Sequence, residues 1–270
     1  MGTNEFEQRR WNDERWVSVW PKRERLTDAI SEYLLDAAAL RSGERVLDIG
    51  CGGGKTSVAA ARLVGGEGAV VGADLSAPLS KLARQRAAEA GVDNVDFRVV
   101  DVQTDTIEGG PFDVAISQFG VMFFDEPVTA FRNIRAHLKP VGRIAFACWQ
   151  AIEQNPWFFA TAVAEFAPPP QTPAPGKSPT GPFALADPDN TTQILQGAGF
   201  ANVRRTTHQL EVEVPEDSVV DEAQLRFVGI PEDKLAAAQA AVDAHMQQFK
   251  LESGLSRFPL SFQLFRADNG

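Results

Sequence analysis

The sequence predicts an open α/β sheet, mostly parallel, with helices on both faces. Short apolar runs alternate with amphipathic stretches through the middle third, the pattern of parallel strands joined by crossover helices. A glycine-rich turn follows the first of those runs directly, and an acidic residue stands at or near the end of each of the first three. The composition suits such a fold: 270 residues, 44% hydrophobic and 23% charged, are enough to bury a substantial core.

In chain order, residues 1 to 40 look helical and carry Trp11, Trp16 and Trp20. Five strand-like runs follow: RVLDI (45 to 49), AVVGAD (69 to 74), VDFRVVD (95 to 101), FDVAIS (112 to 117) and RIAFACW (143 to 149). Between them, KTSVAAARLV, APLSKLARQRAAEAG and PVTAFRNIRAHLK place apolar residues at three- and four-residue steps with few breakers, which makes them helices. The stretch APPPQTPAPGKSPTGP, from Ala167, is too rich in proline and glycine for regular structure and reads as a linker or lid. A helix near DPDNTTQILQGAGF, a strand VRRTTHQLEVEV, a helix around EDKLAAAQAAVDAHMQQF and a strand PLSFQLFRA complete the chain, bringing the strands to seven. There is no internal repeat. The expected organisation is a helical cap (1–40), a ligand-binding core (41–150), a substrate lid or linker (151–190), and a C-terminal part (191–270) that completes the sheet around an inserted helical segment.

A formal net charge of −10 argues against nucleic acid as the main partner, because phosphate backbones are met by dense basic patches. Two cysteines, Cys51 and Cys148, and three well-separated histidines give no metal-ligand spacing, so no metal is expected. The first residues are charged and aromatic without an apolar core, and no apolar run reaches 18 residues, so a cytoplasmic chain without a membrane span is expected. Its charge is compatible with a monomer or a homodimer.

Ligands of open parallel sheets bind at the carboxyl ends of the strands, so LDIGCGGGKT (47 to 56) is the segment to test. It ends like the phosphate loop GxxxxGK[ST], but Ile49 stands where that loop has its first glycine. It begins like the dinucleotide loop GxGxxG, but Lys55 takes the place of the third glycine. What remains is Gly50, Gly52 and Gly54, a tight turn where backbone can approach a ligand closely. Asp48, Asp74 and Asp101 then give the crevice an acidic rim, which repels a triphosphate and suits a cation. S-adenosylmethionine, with its sulfonium, ammonium, ribose diol and neutral adenine, fits that rim better than ATP or NAD.

The segments VLDIGCGGG (46 to 54), VVGADLS (70 to 76), VVDVQ (99 to 103), FDVAISQFGVMFF (112 to 124) and LKPVGRIAF (138 to 146) together resemble the class I S-adenosylmethionine-dependent methyltransferases, in order and approximate spacing. They look most like small-molecule methyltransferases of the ubiquinone and menaquinone biosynthesis type, with Val141 where LKPGG has glycine. The resemblance implies a Rossmann-like, seven-stranded sheet and S-adenosyl-L-methionine as cofactor. It also implies roles: Gly50, Cys51 and Gly52 against the methionine part, with Asp48 behind the loop or accepting from the ammonium; Asp74 on the ribose hydroxyls; Leu75 on the adenine face; Asp101 on the exocyclic amine, with the Val102 backbone at a ring nitrogen. Ser117, Gln118 and Phe119 would line the floor under the methyl donor.

Each of these residues has an ordinary structural explanation as well: a strand-ending Asp caps helices and forms turns, and Leu75 and Phe119 are suited to a core. Trp16, Trp20, Trp149, Trp157 and Phe158 are the candidates for contact with a small apolar or aromatic acceptor. The histidines fall outside the motifs and read as structural, so no catalytic residue is assigned. Methyl transfer to O, N or C is the expected reaction. A cyclopropane-forming lipid enzyme, or a binding protein without turnover, would share the cofactor motifs.

Overall fold

A computed structural model describes residues 5–167, 178, 180–215, 222–227 and 229–270. Most of the proline-rich stretch therefore lies outside the described residues.

Two helices open the chain, α1 (Glu5–Trp11) and α2 (Arg15–Ala38). The alternating unit follows: β1 (Arg45–Ile49), α3 (Lys55–Val64), β2 (Ala69–Asp74), α4 (Ala77–Glu89), β3 (Val95–Val99), β4 (Phe112–Gln118), α5 (Pro127–Ala136) and β5 (Leu138–Trp149). After it come α6 (Pro188–Gly197), β6 (Phe200–Pro215), α7 (Glu222–Phe227), α8 (Leu235–Met246) and β7 (Leu255–Asn269). The seven strands form one sheet in the order β3-β2-β1-β4-β5-β7-β6, with helices on both faces. All neighbours pair parallel except β7, which runs antiparallel to both β5 and β6.

Burial follows from this arrangement. The central strands are covered on both faces and read as nearly continuous apolar runs: Val46, Leu47 and Ile49 of β1, Val114 to Ile116 of β4, and Ile144 to Trp149 of β5 are all buried. Phe146 stacks on Phe265 across the β5–β7 pair and is flanked by Phe131 of α5. Helix starts are set by local chemistry. Ser76 caps α4 by accepting from the Leu79 N–H, Asp187 caps α6 by accepting from the N–H groups of Asp189 and Asn190, and a proline occupies the first turn of each.

Four strands have boundaries that differ from expectation by two residues or more. β3 stops at Val99, because the chain turns at Asp101, whose carboxylate accepts from the Gln103 N–H. β5 begins at Leu138 and absorbs KPVG through an irregularity in its pairing with β4. The C-terminal strands are longer than their apolar cores suggested, since β6 and β7 pair with each other from Phe200 and Asn269 to Pro215 and Leu255. The short α7 carries no periodicity long enough to be read from sequence. Among the described residues no helix is long and apolar enough to cross a membrane.

Candidate functional site

A cavity of about 260 Å³ opens at the carboxyl ends of β1, β2, β4 and β5. Its floor is the glycine turn. Gly50 has φ +64°, and a Cβ there would stand 2.7 Å from the Gly120 Cα, so the turns after β1 and β4 touch backbone to backbone. The buried Ser117 hydroxyl holds that contact by donating to Ile49 O at 2.7 Å and accepting from the Gly120 N–H at 3.1 Å. Gly52 and Gly53 lie directly under the Trp20 indole of α2, which occupies the space their side chains would need.

Three carboxylates reach this floor. Asp48 is buried and accepts from the Ser57 hydroxyl at 2.5 Å; burial pushes its pKa up to about 7, against the hydrogen bond that lowers it. Asp74 accepts from the Gly52 N–H at 2.7 Å and the Ser76 N–H at 2.8 Å, and burial again outweighs these bonds and raises its pKa. Asp101 is half-buried and shifted upward for the same reason, with Asp105 and Asp125 adding to it. Among the described residues none of the three carboxylates is paired with a lysine or arginine. Of the other charged groups around the cavity, Lys55 pairs with Asp28, Glu24 pairs with Arg86 at 2.7 Å, and the Arg23 guanidinium lies over the Trp16 ring. A buried cluster of like charges without a counter-ion favours a cationic ligand, and neutral ligand groups that can donate to carboxylate oxygens.

The opposite wall is aromatic. Phe119 takes the left-handed φ of +64°, unusual for a bulky residue, and its ring stacks on Trp149 at 4.2 Å and 11°. Trp157 meets Trp149 edge-on, Phe158 meets Trp157 edge-on, and both belong to the cavity lining with Phe159 and Pro182. Gln118 ties this wall to α2, its side-chain oxygen accepting from the Ser31 and Thr56 hydroxyls and its amide donating to Thr27 O.

The joint between α1 and α2 closes over the β2 end. Asn12 donates to Leu75 O and accepts from the Ala77 N–H, each at 3.0 Å, while the Ser76 hydroxyl donates to Trp11 O. Trp11 and Trp20 thereby line the cavity.

Of the residues singled out from sequence, Asp48, Gly50, Cys51, Asp74, Leu75, Asp101, Val102, Gln118, Phe119, Trp20, Trp149, Trp157 and Phe158 line this one cavity. Three stand differently. Trp16 is buried against Trp11 and Trp20, its indole N–H donating to Arg10 O, so it supports the wall from behind. Ser117 and Gly52 hold the floor through the bonds described above and are not part of the lining. The histidines are engaged elsewhere: His137 accepts from the Ile107 N–H and donates to Asn133 O, His208 stacks on Phe262, and His245 bonds Pro156 O. Sequence reasoning did not select Thr27 and Ser31 of α2, the run Met122 to Phe124, or Gln224 of α7, all of which line the cavity. The aromatic run was visible in FGVMFF; the polar faces of α2 and α7 carry no motif.

An open sheet with an acidic, glycine-floored crevice beside an aromatic wall has the charge to suit a cationic cofactor. The sequence matches the methyltransferase domain family over residues 46–142. It is 32% identical over 189 residues to aklanonic acid methyltransferase DauC of Streptomyces sp. (strain C5), covering 64% of this chain and 82% of that protein. It is likewise 32% identical over 201 residues to nocamycin O-methyltransferase of Saccharothrix syringae, covering 69% of each. The fold superimposes on YcgJ from Bacillus subtilis with a TM-score of 0.60 at 18% identity, covering 89% of this chain and 98% of that one. The chain belongs to the class I S-adenosylmethionine-dependent methyltransferases. It is a methyltransferase, and S-adenosyl-L-methionine is its cofactor.

Proposed function

We propose that the methyl acceptor is a flat, largely apolar metabolite held against the aromatic wall, with the cofactor along the acidic floor. The observation that carries this reading is that Asp48, Asp74 and Asp101 line the same cavity as Phe119, Trp149, Trp157 and Phe158. The unpaired carboxylates fit the cofactor's cationic and hydroxyl groups. On this reading Gly50 and Cys51 face the methionine part with Asp48, Asp74 accepts from the ribose hydroxyls, and Leu75, Asp101 and Val102 surround the adenine.

When bound, S-adenosylmethionine supplies an electrophilic methyl group on a sulfonium. The chain's own task is placement. The aromatic wall orients the acceptor in line, and α1, α2 and Pro182 exclude water from the cavity. Holding the acceptor close and in line supplies much of the rate, and no catalytic residue is assigned. An oxygen acceptor is favoured by the relative named as an O-methyltransferase. The intact glycine turn and its three carboxylates argue against loss of the cofactor.

The test is mass spectrometry of a panel of aromatic, aliphatic and lipid acceptors incubated with protein and cofactor. A gain of one methyl on planar aromatic members, lost when Trp149→Ala enlarges the wall while S-adenosylhomocysteine affinity is retained, is the expected result. Methylation of flexible aliphatic acceptors alone, or a ring-forming methylene addition to a lipid, would overturn it.

A further inference from the structure

Strand β6 ends the sheet, and among the described residues no strand pairs with its outer edge. An edge this long, 16 residues, is a template for another strand unless something covers it. The direction of its free groups can be read from β7. The Ser261 N–H donates to Asn155, and its carbonyl accepts from Gln150 and Asn155, so both face away from β6. The alternation of an antiparallel ladder then turns Phe262 and Leu260 toward β6, where they oppose His208 and Leu210. The outward N–H and C=O groups therefore belong to Arg205, Thr207, Gln209, Glu211 and Glu213, whose side chains are all exposed.

Charge along that series is polarised. Arg205 stands at one end, its guanidinium near Gln263 at 3.3 Å; Glu211 and Glu213 stand at the other, with Arg257 of β7 at 2.7 Å from Glu213. A strand with positive and negative ends is complementary to a reversed copy of itself. We propose that β6 is a homodimer contact, two copies pairing antiparallel about a two-fold axis at Gln209 to make one continuous sheet across both chains. That register sets Arg205 opposite the partner's Glu213 and Thr207 opposite the partner's Glu211. On the other face it covers the half-buried Leu210 and Val212 with the partner's His208 and Thr206. The β6 edges of the two copies are removed at once, as a closed isologous contact requires.

Light scattering and sedimentation should give a concentration-dependent species of twice the 29.3 kDa chain mass. Arg205→Glu should weaken association by about tenfold, since it makes two symmetry-related repulsions, and adding Glu213→Arg together with Arg257→Glu, which keeps a partner for residue 213 within the chain, should restore it. Gln209→Cys should form a disulfide-linked dimer under mild oxidation, because the native Cys51 and Cys148 are buried. No residue of β6 lines the cavity, so S-adenosylhomocysteine binding should persist in every variant and shows that each is folded. A chain that stays monomeric at all concentrations, a dimer indifferent to Arg205→Glu, or cross-linking through His208→Cys in place of Gln209→Cys would overturn the assignment.

Discussion

Asp48 is a buried carboxyl with a single hydroxyl partner, and its pKa of about 7 couples cofactor binding to release of a proton. On the proposed placement the cofactor's ammonium favours the ionised form, so the Asp48 pKa falls on binding and a proton leaves. Affinity is then full above about pH 7 and declines below it, by at most about tenfold per pH unit. Without cofactor the sign for stability is opposite in origin: the native state keeps a proton that the unfolded chain has lost, so stability falls as pH rises from the ordinary Asp range to about 7. Calorimetry in buffers of unlike ionisation enthalpy should show proton release that Asp48→Asn removes; none in the parent protein would contradict the placement. Asp74→Ala should weaken cofactor binding by about 2 to 4 kcal/mol, the loss of two hydrogen bonds to a charged acceptor with incomplete additivity. Unchanged affinity would rule out its ribose role. Gly50→Ala combines a left-handed φ with a collision at Gly120 and should destabilise the fold by about 1 to 3 kcal/mol in denaturant titration.

At the scale of elements, the N-terminal helices matter because they complete the cavity. Trp20 presses on Gly52 and Gly53, its indole N–H is fixed by Glu24 at 2.8 Å, and Glu24 is held in turn by Arg86 of α4. This chain of contacts couples α2 to both the glycine turn and the helix after β2. Cofactor or its demethylated product should therefore slow hydrogen exchange across residues 5–38, and Trp20→Ala should weaken cofactor binding about tenfold through lost aromatic contact. Exchange that is identical with and without ligand, together with full affinity after deletion of residues 1–20, would show α1 and α2 to be a fixed outer layer and no lid.

For the whole molecule, the site lies at the carboxyl edge of the central strands, so ligand binding and sheet stability are linked. S-adenosylhomocysteine at a hundredfold excess over its Kd should contribute about 2.7 kcal/mol and raise Tm by about 5 to 10 °C. ATP and NAD should give no shift, because their phosphates meet the unpaired carboxylates of the rim in a chain of net charge −10. A shift from either at physiological salt would return the glycine turn to a phosphate-binding reading.

The alternation of runs from RVLDI to RIAFACW was legible because a parallel strand buried on both faces must be continuously apolar, and its crossover helix must show a periodic stripe. The acidic floor was legible because Asp48, Asp74 and Asp101 are fixed by their distance from strand ends, a local property. Contacts between segments far apart in sequence were not. Gly50 reads as a flexible turn residue until Gly120 is found against it, and Trp16 and Trp20 look alike until packing sets one behind the wall and the other over the glycines. Ser117 looked like floor and proved to be the tie between two turns, since a hydroxyl's partners depend on the neighbouring strand. The sequence by itself determined the succession of strands and helices through the core, the cofactor's charge and the family. Only the tertiary structure decided which aromatic rings share a cavity, because side-chain packing depends on residues that the chain brings together from a hundred positions apart, and no local pattern records that distance.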